Sequence, residues 1–291
     1  MKNISIIGIG LIGSSIARSI KSIFPGLNIE IIDHSKNHLE KSKELNLGNE
    51  YKLSIDNNIS KSDVVFVCAP LSSYEEIFAN IQNHLANEKT IITDVGSSKL
   101  KIIELAQKKL KNIKFVPGHP IAGTEHSGPQ SGFKDLFLNK WFISTPCNLC
   151  SDEELNVIND LWKKMGSKIE VMDAKNHDSI MAITSHIPHL IAYNIVGTAN
   201  DLGDSIKSEV IKFSASGFKD FTRIASSDPT MWRDIMLSNK DEILSLLNKF
   251  NDDLKGLIEA IKGGDGDYLF ERFKKTKNIR QKILEEDKNK S

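Results

Sequence analysis

The segment Gly8-Ile9-Gly10-Leu11-Ile12-Gly13 follows the β-branched run NISII and opens a helical pattern that continues through Lys21. No other stretch of the chain constrains its fold as tightly. Gly8 allows a tight turn, Gly10 lets backbone approach a ligand, and Gly13 lets helix and strand pack closely. Leu11 and Ile12 fall in the first helical turn, whose free amides and positive dipole end suit a pyrophosphate. A second apolar run, NIEII, ends at Asp33, twenty residues beyond Gly13. A carboxylate there accepts hydrogen bonds from ribose hydroxyls and repels a 2′-phosphate. His34, Ser35 and Lys36 follow, with no arginine to receive that phosphate. In this context the glycines read as a dinucleotide fingerprint rather than a ligand-free turn, and NAD is favoured over NADP.

Further apolar runs of strand length lie at 63–68, 90–93 and 113–116, with helical stretches near 73–84 and 97–111. Strands alternating with helices of this length predict an α/β fold, a Rossmann-like, mostly parallel sheet covered on both faces. Two shorter strands, 141–145 and 168–172, flank an amphipathic helix over 152–165. From Asp173 onward the pattern is helical. One long helix is expected over 175–199, kinked at Pro188. Another starts with Asp228 as N-cap and Pro229 in its first turn. A third covers 241–262, where Ile243, Leu246, Leu247, Phe250, Leu254 and Ile258 keep helical spacing. The charged stretch after Phe273 forms a last helix that frays into solvent. The expected division is an NAD-binding domain at 1–173 and an all-helical domain at 174–291.

Lys plus Arg equals Asp plus Glu, at 38 each. That balance gives no sign of a nucleic-acid or membrane-surface binder, either of which would show a basic excess. Lys2 and the apolar run from Ile4 to Ala17 imitate a signal peptide, but the run carries the glycine fingerprint and continues into a strand–helix repeat. No stretch reaches the roughly 18 apolar residues of a membrane span, so a cytoplasmic protein is expected. Cys68, Cys147 and Cys150 are too few for a disulfide framework. Cys147 and Cys150 form a lone C-x-x-C. Structural zinc needs four ligands and no second pair exists, so no metal is expected. A redox pair and an incidental spacing both stay open.

Polar stretches stand where an α/β fold places its crevice, outside the carboxyl ends of the strands, and again in the helical part. DVGSSK (94–99) and GHPIAGTE (118–125) follow strands; SHIPH (185–189) and GFKDFTR (217–223) lie in the helical part. GxGxxG, DVGSSK, GHPIAGTE, SHIPH, GFKDFTR and SDPTMW together resemble the prephenate dehydrogenase family, in its order and spacing, across nearly the whole chain. The resemblance implies NAD-dependent oxidation and decarboxylation of prephenate in tyrosine biosynthesis. It makes His119 the catalytic histidine with Ser97 beside it, and Arg223 the ligand of a substrate carboxylate. Thr124, Glu125, His189 and Lys219 would line or gate the pocket. Asp220 and Trp232 would shape its entrance, and the helical domains would form a homodimer, with Trp232 reaching across it.

The residue types suit that chemistry. A neutral imidazole can take a hydroxyl proton, since an unperturbed His has a pKa of about 6.5. Arginine's planar fork suits a carboxylate bidentately. Lys219 and Arg223, four apart, would share one helix face, and Phe218 and Phe221 argue for their partial burial. Plainer readings stand beside these. His119 can be a loop histidine, Lys219 and Arg223 a solvated face, and Trp232 a core residue. His186 is expected as a hydrogen-bonded core histidine and His177 as a surface residue near a helix start. Arogenate or dual specificity, and a non-catalytic NAD-binding sensor, are the rival functions.

Overall fold

In the computed structural model of the chain, residues 1–85, 89–202, 209, 212–213 and 216–289 are described. Six strands build the main sheet: β1 (Asn3–Ile7), β2 (Asn28–Ile32), β3 (Glu50–Lys52), β4 (Val64–Val67), β5 (Ile91–Asp94) and β6 (Lys114–Val116). All pair in parallel, in the order β3-β2-β1-β4-β5-β6. This is the doubly wound order, and its reversal point beside β1 and β4 is where such sheets take a ligand. The Rossmann-like expectation holds. β3 lacked a sequence signal because Glu-Tyr-Lys at a sheet edge is neither apolar nor alternating.

Alternation along the strands sends side chains to two cores. Ile4 and Ile6 of β1, with Ile29, Ile31 and Phe66, pack against α1 (Leu11–Ile23) and α5 (Asp152–Lys164). Trp162 of α5 stacks on Phe142 at a 4.3 Å centroid distance and meets Phe66 edge-on. Ile7, Ile32, Val65 and Val67 face the other way, onto α3 (Tyr74–His84) and α4 (Leu100–Lys109). Helix α5 begins as its sequence directs: Ser151 and Glu154 form a reciprocal capping box.

A second sheet of three strands lies outside the main one. β7 (Gly118–Pro120) runs antiparallel to β8 (Trp141–Ser144), which runs parallel to β9 (Lys168–Val171). His119, expected in a loop, therefore sits in a strand, opposite Ile143. Three residues ending in Pro carry too little pattern to be read as a strand.

Past β9 the described elements are helical. The expected helix 175–199 is α6 (Ala174–Met181), a wider π turn at Ala182–His186, and α7 (Ile187–Asn200). Pro188 has no N–H to return to the residue four back, and the π turn absorbs that defect in place of a simple kink. Asp228 caps the helix Pro229–Ser238 through the amides of Thr230 and Met231, as expected.

By packing, the chain divides into two compact units, Met1–Ile243 and Leu244–Ser291. Within the second, the helix ending at Gly263 turns at Gly264 (φ +69°) into the helix Gly266–Asn289, which begins earlier than its charge pattern suggests. Arg272 pairs with Asp253 at 3.1 Å across this hairpin. Ile258, Ile261, Phe270 and Phe273 of the hairpin are exposed. Among the described residues, no helix is long and apolar enough to cross a membrane.

Candidate active site

The turn after β1 is shaped for close approach by a dinucleotide. Gly8 has φ +90°, and a Cβ there would lie 2.7 Å from the Cys68 carbonyl group. A Cβ on Gly13 would lie 2.1 Å from the Gly8 carbonyl oxygen, whereas one on Gly10 would meet nothing within 4 Å. Two glycines are thus required by packing, and the middle one leaves open space for a ligand to approach the backbone. Helix α1 starts at Leu11 with no side-chain cap and no acidic residue in its first turn. Its terminal amides, Leu11 and Ile12 among them, suit an anion. Asp33 is buried and accepts from the Ile9 amide at 2.9 Å and the Ser35 amide at 2.8 Å, one on each oxygen. A carboxylate has about four acceptor positions, so these bonds fix Asp33 and leave capacity for a ribose diol. The donor set fits NAD.

Across the reversal point, one buried network joins two of the motifs to the start of α6. Lys99, fully buried, donates to Asp94 at 2.6 Å and to the Gly118 carbonyl at 2.7 Å. Asp94 also accepts from the Gly118 amide at 3.1 Å and the Gly96 amide at 2.9 Å. Burial lowers the Lys99 pKa, and the attraction of Asp94 opposes that shift. The residue before His119 is therefore held at both its N–H and its C=O by one ion pair.

His119 is half-buried, and its Nδ1 lies 2.9 Å from Nε2 of His177. His177 Nδ1 lies 2.7 Å from Asp178 Oδ1. Asp178 also accepts the amides of Lys99 and Leu100 at 2.7 and 2.9 Å, capping α4. The tautomers follow from these partners. A carboxylate that accepts backbone donors on both oxygens accepts from His177 too, so His177 Nδ1 carries the proton and its Nε2 is an acceptor. His119 Nδ1–H then donates to it, and His119 Nε2 is left with a free lone pair. Burial first, then the neighbouring His177, Lys99 and His186, hold the His119 pKa well below the ordinary imidazole value. His119 is a neutral base at neutral pH.

His177 corrects the sequence expectation of a surface residue: it is fully buried. Its signal was there to read, since His177 and Met181 lie four apart on the face of α6 that packs inward. Asp178, Asp94 and Lys99 also went unassigned, because nothing in a linear sequence shows that motifs far apart share partners. His186 is the expected core histidine. It is buried, bonded to Asn239 at 3.2 Å, and held down to about 4 by burial. The Ser97 backbone lies against His186, and the half-buried Ser97 belongs to the same loop as Lys99.

The remaining predicted residues form a second group. His189 is half-buried and stacks on Trp232 with centroids 3.7 Å apart. Its Nδ1 donates to the Ser185 carbonyl at 2.8 Å, which leaves Nε2 as acceptor, and burial lowers its pKa, with Arg223 adding to the shift. Trp232 is buried within its own chain, in keeping with its reading as core. Arg223 pairs with Glu125 at 3.3 Å, and the guanidinium side chain is 61% exposed. Thr124, Lys219 and Asp220 are exposed, as is Phe221, so the expected partial burial holds for neither Lys219 nor Arg223. The helix carrying Lys219 ends at Thr222, and Arg223 begins a 3₁₀ turn.

Comparison with known proteins gives concordant results. The family profile "Prephenate dehydrogenase, nucleotide-binding domain" matches residues 16–171, and "Prephenate dehydrogenase, dimerization domain" matches 173–275. The chain is 38% identical to a cyclohexadienyl dehydrogenase of Zymomonas mobilis over 96% of its length and 95% of that protein's. It is 32% identical to a prephenate dehydrogenase of Bacillus subtilis, over 94% of this chain and 74% of the relative. Among solved structures, the prephenate dehydrogenase of A. aeolicus in complex with hydroxyphenyl propionate and NAD+ superposes with a TM-score of 0.89. The two are 33% identical, over 97% of this chain and 98% of the other.

Proposed function

The chain belongs to the prephenate dehydrogenase family, and from that membership and its geometry we propose that it oxidises and decarboxylates prephenate to 4-hydroxyphenylpyruvate with NAD. The observation that carries the reading is the polarised line Asp178–His177–His119, which ends in a free imidazole lone pair. NAD, when bound, supplies the hydride acceptor. Gly8, Gly10 and Gly13, with the amides of Leu11 and Ile12, hold its pyrophosphate, and Asp33 holds its ribose. His119 Nε2 takes the proton of the ring hydroxyl as that carbon is oxidised. CO₂ departs, its bonding pair enters the ring, and the proton returns to the oxygen of the aromatic product. His177 keeps His119 in the tautomer that makes this possible.

Arg223 binds a substrate carboxylate in place of Glu125, with His189, Lys219 and Thr124 around it and Asp220 and Trp232 at the entrance. Ser97 positions the reacting face. We assign residues 1–173 to the cofactor and residues 174–291 to the substrate side. The similarity to a cyclohexadienyl dehydrogenase supports a second reading, in which arogenate is also used. NADH formation measured with prephenate and arogenate in parallel tests both. No NADH from either substrate would refute the assignment, and leave an NAD-binding sensor.

Asp33 should make the enzyme prefer NAD over NADP by more than tenfold in kcat/KM, or about 1.4 kcal/mol. Its buried carboxylate, fixed by two backbone amides, cannot swing away from a 2′-phosphate. Equal efficiency with the two cofactors would remove Asp33 from this role.

We also propose a homodimer through the helical region. The matched dimerization profile supports it. So does the exposure of Ile180, Ile183, Ile195 and Val196 on α6, the π turn and α7, since clustered exposed apolar side chains mark interaction surfaces. Light scattering at micromolar protein should return twice the chain mass; a monomer mass would reject the dimer.

A further inference from the structure

Cys147 and Cys150 take no part in the chemistry above, yet the fold closes their spacing into the two ends of one turn. They lie in the segment between β8 and α5, where the Cys150 amide donates to the Cys147 carbonyl at 3.2 Å. That bond closes a four-residue turn, which brings the first and fourth Cα atoms within about 7 Å. Disulfides span Cα separations of about 4.4–6.8 Å, so a cross-link here needs no large backbone movement. Cys150 Sγ lies 3.4 Å from the Cys147 carbonyl oxygen, and the two side chains are close enough for each to shift the other's titration. Both side chains are half-buried, which leaves each open in part to a small reagent. Cys68 stands apart, at the end of β4.

We propose that Cys147 and Cys150 form a thiol–disulfide site, a dithiol that a small-molecule disulfide of the glutathione class oxidises to an intramolecular cross-link. The Cys150 thiolate attacks one sulfur of the reagent, forming a mixed disulfide and releasing one thiolate. Cys147 then loses its proton and attacks the Cys150 sulfur, which forms the cross-link and expels the second. Two electrons pass from the dithiol to the reagent, and the two thiol protons end on the released thiols. The asymmetry of the pair sets this order. The interaction between the two side chains holds Cys150 below the ordinary thiol range and pushes Cys147 up. Burial and the nearby Glu154 and Asp152 oppose the first shift without reversing it.

The surrounding structure keeps the turn in place. The Phe115 amide of β6 donates to the Leu149 carbonyl at 3.0 Å, and Cys147 Sγ lies 3.9 Å from the Phe115 carbonyl. The pair is thus braced on the edge strand of the main sheet and does not depend on local unfolding to meet.

The test is equilibration of the folded, full-length protein in glutathione buffers of increasing oxidised-to-reduced ratio, followed by alkylation and peptide mapping. The folded chain should lose two alkylatable thiols together and yield a 147–150 cross-linked peptide free of glutathione. It should do so at a lower ratio than the same chain unfolded in urea, and dithiothreitol should restore both thiols. In Cys150→Ser, Cys147 should carry a glutathione adduct or stay free, with no cross-link. Two persistent free thiols, two separate glutathione adducts, or a transition no easier than in urea would each overturn the proposal.

Discussion

Replacing His119 with Asn is expected to lower kcat by about 10²–10⁴-fold, the usual cost of losing a general base, with a smaller change in KM for prephenate. The proton moves only as the ring is oxidised, so the interaction belongs to the transition state more than to the ground state. Arg223→Ala should divide its effect the other way, raising KM for prephenate and sparing NAD, because a carboxylate is held throughout. His177→Phe removes the acceptor of His119 Nδ1–H without touching substrate. It frees the imidazole to adopt the wrong tautomer or orientation, and misplacement of that kind costs roughly 10²-fold.

The pH profile separates a base from a merely structural histidine. His119 must be neutral to accept, so activity falls as pH drops through its pKa. Burial, His177, Lys99 and His186 all push that pKa down, so the acid limb of kcat/KM should lie below pH of about 6.5, the unperturbed value. An acid limb at or above that value, or a His119→Asn enzyme with wild-type kcat, would remove His119 from the role.

The parallel sheet was legible because buried strands such as VVFV and NIEII are continuous apolar runs, and because the glycine turn and Asp33 are fixed by local backbone geometry. The short strand holding His119 and the edge strand Glu50–Lys52 were not, since their pairing is decided by partners elsewhere in the chain. The candidate site divides in the same way. Motifs gave His119 and Arg223 directly. What stands behind His119 did not follow from them. Lys99 and Asp94 belong to one motif, Gly118 to a second, and His177 and Asp178 to the start of α6. Each looks ordinary until the fold brings all of them into one network. Reading His177 as a surface residue came from its place near a helix start, where a polar side chain is the common case. Burial was dictated instead by the face of α6 that packs inward.

That network also predicts a large loss of stability from a single substitution. Lys99→Met should destabilise the protein by about 3 kcal/mol, the lower part of the range for breaking a buried pair by removing one partner. The lower part is expected because Asp94 keeps the amides of Gly96 and Gly118 and the Tyr74 hydroxyl as donors. The uncompensated charge of a fully buried carboxylate remains, and the Gly118 carbonyl loses its Lys99 donor. Urea unfolding followed through its midpoint and slope measures the effect, which should appear in the midpoint with the slope unchanged. Adding Asp94→Asn to Lys99→Met removes the stranded charge and should recover part of the loss, whereas two independent sites would add their costs. Activity should not recover with it. Gly118 is held at its carbonyl by Lys99, and without that bond the strand bearing His119 loses one of its restraints. A Lys99→Met protein with an unchanged urea midpoint would show that the pair contributes nothing net to the fold. A double variant as active as the wild type would show that His119 is held by other contacts.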